Sequence, residues 1–218
     1  MTGIVTVSDL AADAVAALTG TRWSITEAPV HVPARPGLYA IYGDEQAHRE
    51  LGLLEDAGAR SAPDLPLYVG KAEASFVERD LKDHFAAVPG STARTGGSTV
   101  RRSFAALLRD RLDLHGVPRN LEIPGYFSMY SLAGDGDAQL TAWMHEHLSL
   151  AIWAAPIQMS VKLVDVEAEL IRHFMPVINI DKNPRKLARL TAARKAMSAE
   201  AKAWRPLTQA AREAERDQ

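Results

Sequence analysis

The sequence contains no cysteine. That one absence excludes disulfides, thiolate nucleophiles, iron–sulfur clusters and cysteine-ligated zinc, and it agrees with a reducing compartment. Long hydrophobic runs are missing too: the nearest, LSLAIWAAPI, falls far short of the roughly 18 residues of a membrane span. The opening segment carries Asp9 and Asp13 and no basic stretch, so a secretory signal is not expected. There is no low-complexity tract, no repeat at a solenoid period, and no recognisable helix-turn-helix or zinc finger. What remains is 218 residues, 47% hydrophobic and 24% charged, the balance of a soluble globular domain with room for an appended segment. A cytoplasmic protein without a membrane partner is the expectation.

The net charge of −2 conceals segregation. Between Gly43 and Pro66 the acids Asp44, Glu45, Glu50, Glu55, Asp56 and Asp64 face only Arg49 and Arg60. From Lys182 to Lys195 run Lys182, Arg185, Lys186, Arg189, Arg194 and Lys195 with no acid among them. A second basic cluster, Arg94, Arg101, Arg102, Arg109, Arg111 and Arg119, is opposed only by Asp110 and Asp113. Local fields steer polyanions and the sum over a chain does not, so these clusters are either solvated faces or a nucleic-acid surface.

Periodicity and punctuation predict a helix over 8–18, capped by Ser8 and Asp9, and a strand in WSITEAPVHV. Strands follow in GLYAIYG, opened by Pro36 and Gly37, and in PLYVGK, with the acidic segment 44–64 inserted as a loop or short helix. Helices are expected over 74–85 and 100–114, the latter capped by Ser98 or Thr99. YFSMYSL reads as a strand, QLTAWMHEHL as a short helix and LSLAIWAA as a buried strand. A helix over 164–174 stops at Pro176, and an Ala-, Arg- and Lys-rich helix follows from Pro184, broken at Pro206. The fold class is α/β (α+β): a small, mixed or antiparallel three-stranded central sheet flanked by helices.

Three separated pieces matter together: Gly37-Leu38-Tyr39 heading one strand, Tyr68-Val69-Gly70 with Lys71 and Ala72 ending another, and Glu167, Leu170-Ile171, Pro176 and Asn179 in order on and after a later helix. In this set the chain resembles the GIY-YIG nuclease superfamily, in which the two tripeptides sit on neighbouring strands and a helix brings a glutamate. The resemblance covers residues 36–179. It divides the chain into an N-terminal extension (1–35), a nuclease-like domain (36–183) and a basic helical tail (184–218). The short step from glutamate to asparagine is closer to the restriction-enzyme branch than to the excision-repair branch.

The resemblance implies an endonuclease that hydrolyses phosphodiester bonds in DNA with one Mg2+ ion, or Mn2+ in its place. Such chemistry needs an activated water, neutralised phosphoryl oxygens and help for the leaving oxygen. By resemblance Glu167 is the metal ligand, Tyr39 the base, and Tyr68 the residue that positions water or phosphate. Lys71 biases both tyrosines electrostatically, and Asn179 orients Glu167 or packs the helix end. Arg79 is the first candidate for a bidentate grip on phosphate, with Arg101, Arg102 and Arg111 as alternatives. His84 is the candidate proton relay, although a step of five from Arg79 does not place both on one face of an α-helix. Arg101 and Arg102, in a first helical turn where cations oppose the dipole, are expected either to meet a DNA phosphate or to be solvated. Lys182, Arg185, Lys186 and Arg189 are expected to follow the DNA backbone, in salt-dependent fashion. A functional alternative is a DNA-binding module of the same fold with weak or no catalysis. His145 and His147 alternate on a helix and point apart, so they are not read as a metal site. Trp143, Trp153 and Trp204 are read as packing residues.

Overall fold

The computed structural model describes residues 5–55, 62–123 and 125–205. The tip of the acidic insertion (56–61), and the tail from Pro206 onward with its expected break, lie outside the described residues. Helix α1 (Val7–Leu18) starts at a reciprocal cap: the Asp9 N–H donates to the Thr6 hydroxyl while the Asp9 carboxylate accepts from the Thr6 N–H. Asp9 therefore acts from the third helical position, and Thr6 supplies the cap in place of Ser8. The expected single strand in WSITEAPVHV is instead β1 (Trp23–Ser24) followed by the helical turn α2 (Ala28–His31). The Ser24 hydroxyl donates to the Glu27 carboxylate at 2.6 Å, and Pro29 has no N–H for a ladder, so the chain turns after two residues.

The body of the fold is an antiparallel sheet of β1, β2 (Gly37–Gly43), β3 (Tyr68–Ala72) and β6 (Leu148–Ala154), in the order β1-β6-β2-β3. The three strands expected from the sequence form it, with β1 added as a fourth at one edge. Every residue of β2 is buried, because β2 is central and covered on both faces. Leu38, Ala40 and Tyr42 pack toward α1 and α6 (Leu163–Phe174); Tyr39 and Ile41 face the opposite layer. Such double coverage explains why GLYAIYG reads as a continuous apolar run rather than an alternating one.

That second layer holds α4 (Thr99–Leu107), α5 (Gly136–His147) and α7 (Ala188–Ala203), with the acidic α3 (Glu45–Glu50) and the two-residue ladder of β4 (Gly116–Val117) and β5 (Ser131–Leu132) around it. Ser98 caps α4, as expected, but the helix ends at Leu107, short of Leu114; Asp113 takes a positive φ of 49° in the turns beyond. YFSMYSL is mostly a 3-10 turn over Phe127–Met129, with only Ser131 and Leu132 in a strand. The basic helix α7 is not simply appended. Its Leu190, Met197 and Ala201 are buried in the core, whereas Lys195 on the same helix is exposed. Trp143 and Trp153 are packing residues as read.

The helix expected over 74–85 is a π helix, Val77–His84, in which the Phe85 N–H reaches the Asp80 carbonyl. This wider winding returns residues five apart to one side, which suits the buried spacing of Phe76, Leu81 and Phe85. It also brings Arg79 and His84 toward the same neighbour, Tyr39.

The outer edge of β3 is closed by a side chain. After α6, which ends with Met175 in the left-handed region, the Ile178 N–H donates to the Leu67 carbonyl at 2.9 Å. The Asn179 amide then clamps Val69: its oxygen accepts from the Val69 N–H and its nitrogen donates to the Val69 carbonyl, both at 2.8 Å. Asn179 thus holds a strand, and no hydrogen bond joins it to Glu167 among the described residues. Asn179→Ala would leave two buried backbone groups unpaired and is expected to lower unfolding free energy by about 2 kcal/mol. An unchanged midpoint in urea denaturation would reject that role.

Candidate active site

The site begins with two glycines. Tyr39 on β2 lies opposite Gly70 on β3, and a Cβ on Gly70 would fall 2.5 Å from the Tyr39 ring and its hydroxyl. A Cβ on Gly37 would fall 2.2 Å from the Trp153 carbonyl and 2.4 Å from the Phe76 ring. Both tripeptides therefore need glycine for space: one lets β6 and Phe76 close on β2, the other lets a tyrosine lie across the sheet. Tyr68, diagonal to Tyr39 on the same face, has its ring centroid 6.0 Å away.

The two rings open onto a cleft of about 420 Å3 that Lys71, Arg79 and Glu167 also line, with Glu73, Glu78 and Asp83 among its other walls. Five of the seven sequence-predicted catalytic residues therefore converge. Glu167 reaches the cleft from α6, packed against the β3 edge, and is nearly buried. Its neighbour Glu169 instead pairs with Arg172 at 2.7 Å. Arg79 is partly exposed and lies 3.8 Å from Asp83, while Lys71 pairs with Glu73.

His84 stands behind the cleft, fully buried, with Nε2 3.0 Å from the Tyr39 hydroxyl and Nδ1 2.8 Å from the Ser98 hydroxyl. The Ser98 oxygen also accepts the Arg101 N–H as the cap of α4. Burial, then Arg79 and Arg101, push the His84 pKa well below its ordinary value, so the ring is neutral. It either donates from Nε2 to the Tyr39 oxygen while the Ser98 O–H donates to Nδ1, or accepts the Tyr39 O–H at Nε2 and donates from Nδ1 to Ser98. The two arrangements differ in the imidazole tautomer and in the direction of the two hydroxyl hydrogens.

Two sequence readings are corrected here. Arg101 does not face solvent: it is fully buried, donating to the His84 carbonyl at 2.9 Å and to Asp137 through its carbonyl and carboxylate. It ties the end of the π helix to the start of α5, which offsets the dipole penalty that suggested an external anion. Arg102 is also turned inward, onto the Gly96 carbonyl and the Thr99 hydroxyl. Among the tail residues, Arg185 and Lys186 are exposed, whereas Arg189 donates to the Leu51 carbonyl and Lys182 approaches Glu167, Nζ to Oε2 2.5 Å. Arg111 pairs with Glu50, far from either tyrosine in the chain. His145 and His147 are engaged separately, by the Phe85 carbonyl and by Asp44.

Sequence reasoning missed Asp80. It is fully buried, and neither carboxylate oxygen meets hydrogen-bond geometry with a partner among the described residues, the Tyr39 side chain being near enough only to favour the ionised form weakly. In VERDLKDH it reads as one more charge on a solvated face; only the π winding turns it inward. Burial pushes its pKa well above the usual carboxylate range, with Arg79 opposing. Burial likewise raises Tyr39 well above the usual phenol value, reinforced by Tyr68 and Asp80 and opposed by Arg79. Tyr68 is pushed up to about 12, by burial first and Glu167 second. As built, both phenols are protonated. For a metal, Glu167 is the nearly buried carboxylate of the cleft, whereas Glu73, Glu78 and Asp83 stand on its exposed walls, and no group of three His, Asp or Glu side chains able to hold an ion occurs among the described residues. One inward carboxylate in a polar cleft suits a hydrated, oxygen-preferring ion such as Mg2+ and does not suit zinc.

An α/β domain whose antiparallel sheet presents two tyrosines to a cleft with one inward carboxylate, a lysine and an arginine is organised for work on a phosphate ester. The chain belongs to the family of the GIY-YIG catalytic domain, which matches residues 57–196. The match takes in Tyr68, Lys71, Arg79, Glu167 and Asn179 and begins after Gly37-Leu38-Tyr39. No curated protein and no solved structure matches the chain. Membership points to nuclease activity on DNA, and no described helix is long and apolar enough to cross a membrane.

Asp80 yields a stability prediction. The unfolded chain ionises this carboxyl near pH ~3.9 while the folded chain keeps it protonated to higher pH, so stability falls as pH rises above about 4. Asp80→Asn is therefore expected to raise the urea midpoint at neutral pH, with the gain closing below about pH 4. A variant less stable than wild type at neutral pH would show that Asp80 has a stabilising ionic partner instead.

Proposed function

We propose that the protein is a Mg2+-dependent DNA endonuclease that hydrolyses phosphodiester bonds with a single metal ion, Mn2+ serving in its place. The convergence of Tyr39, Tyr68, Lys71, Arg79 and Glu167 on one cleft, with His84 bonded behind Tyr39, carries this reading. Glu167 would hold the ion, which when bound supplies Lewis-acid charge at a phosphoryl oxygen. Lys182 would leave Glu167 at that point; its ammonium meanwhile keeps a nearly buried carboxylate from standing unpaired. Arg79, held only at 3.8 Å by Asp83, would exchange that carboxylate for a bidentate grip on the scissile phosphate.

Tyr39 would act as general base, its O–H proton passing to His84 Nε2 as its oxygen takes a proton from the attacking water; the buried imidazolium is disfavoured, so it gives the proton back through Tyr39 to solvent, and the departing oxygen takes its proton from solvent in the open cleft. Burial opposes an isolated phenolate, so this step belongs to the substrate-bound state, in which Glu167 no longer adds negative charge beside both phenols. Tyr68 and Lys71 would donate to the water or to a phosphoryl oxygen. Exposed Arg185 and Lys186 would follow the DNA backbone without reading its sequence.

Incubation of supercoiled plasmid and branched DNA with wild type and Glu167→Gln, with and without Mg2+, tests the proposal. Metal-dependent nicking by wild type is expected, with the variant slower by at least about a hundredfold and its DNA affinity within about twofold. Wild-type turnover by the variant would remove Glu167 from the metal role. DNA binding with no cutting by wild type would favour the non-catalytic binding module. Arg185→Ala with Lys186→Ala is expected to lower the slope of log affinity against log salt by about 2, the contribution of two phosphate contacts. An unchanged slope would show that neither residue touches DNA.

A further inference from the structure

Of the seven large apolar side chains exposed among the described residues, three fall within six positions: Leu121 (56% exposed), Ile123 (75%) and Tyr126 (85%). Tyr126 also takes a left-handed conformation, φ 49° and ψ 45°, which a bulky side chain rarely adopts and which marks strain held by its surroundings. Asn120 shapes the segment, its side-chain oxygen accepting the N–H groups of Glu122 and Ile123. With Arg94 and Arg119 these residues line a groove of about 510 Å3, larger than the cleft. Both arginines are exposed, and neither makes an ion pair among the described residues. Glu122 is the one acid in the lining.

One turn of chain joins the groove to the group behind the cleft. Arg119 and Arg94 flank the turn at Thr95–Gly97, where a Cβ on Gly96 would meet the Arg119 side chain at 2.9 Å. The next residue after that turn is Ser98, the partner of His84. Arg102, between the two cavities, has its pKa drawn down to about 10 by burial first and then by Arg194, Arg119 and Arg79.

We infer that this groove is a subsite for an unpaired nucleotide of the DNA substrate, with Tyr126 stacking on the base and Arg94 and Arg119 holding its phosphates. The inference rests on the nuclease reading for the identity of the substrate. An exposed aromatic face beside cations is the arrangement by which proteins hold single strands, since every base has a face to stack and duplex bases keep theirs covered. Leu121 and Ile123 give the base an apolar rim, and Glu122 gives its amino group an acceptor. Exposed apolar patches rimmed by charge mark interaction sites, and two unpaired arginines select a polyanion over an apolar protein surface.

Fluorescence anisotropy with labelled oligonucleotides in metal-free buffer tests it, comparing a duplex with the same duplex carrying a single-stranded flap. Wild type is expected to prefer the flap. Tyr126→Ala should lose about tenfold in affinity for the flap and stay within about twofold on the duplex, and Tyr126→Phe should keep the preference. Equal binding of the flap by wild type and Tyr126→Ala would overturn the proposal. So would self-association of wild type that Tyr126→Ala abolishes without changing DNA affinity, which would assign the patch to a second copy of the chain. Binding without metal separates this inference from the nuclease reading. A protein that never cuts yet prefers the flap through Tyr126 would sink the catalytic proposal and keep the subsite; cutting with Tyr126-independent affinity would do the converse.

Discussion

The close pass of the Tyr39 ring over Gly70 is the contact on which the rest of the site depends. A ring can lie flat across a neighbouring strand only where that strand offers no side chain, and here the separation would shrink to 2.5 Å if it did. The flat ring aims its hydroxyl into the opposite layer, where His84 receives it. His84 is held by Ser98, Ser98 caps α4, and Arg101 on α4 returns to the His84 carbonyl before reaching Asp137 on α5. Three elements distant in sequence are thus drawn around one phenol by a glycine whose role is vacancy.

Charge is distributed unevenly about this scaffold. Inside it lie a neutral histidine, a carboxyl without a donor and an arginine whose two terminal nitrogens are held by protein groups; in the cleft lie ions that can exchange partners. Buried groups fix geometry because any change in their partners exposes an unsatisfied charge to a medium of low polarity. Those in the cleft are partly exposed ion pairs, which water screens and which can change partners at little cost. Arg79 and His84 sit on the same short helix and belong to different sides of this division.

How much of this could be read from sequence follows the same line. Both tripeptides, Glu167 and the three main strands were legible because each is local: a strand run, a turn glycine, a helical spacing. The choice of Glu167 over Glu169 was legible through its spacing to Leu170-Ile171 and Asn179. The role of Asn179 was not, since an amide that imitates a strand neighbour depends on where the chain passes after Pro176. Arg101 and Arg102 were misread because side-chain direction in a first helical turn is set by tertiary partners, here His84, Asp137 and Gly96. Asp80 was invisible because its burial depends on a π winding that no α-helical template anticipates. The basic α7 looked appended because its charges outnumber its large apolar side chains, yet Leu190, Met197 and Ala201 suffice to seat it.

The Asn179 clamp has a consequence for how copies of this chain could meet. A sheet with an open last strand can be extended by another molecule, and many assemblies form in that way. Here the β3 margin is occupied by an amide that already takes both backbone groups of Val69, and the opposite margin is a strand of only two residues. Among the described residues, the clamp at Val69 and the shortness of β1 both disfavour extension of the sheet by a neighbour. A pair of copies is therefore better served by helices, by loops or by a shared nucleic acid than by one continuous sheet.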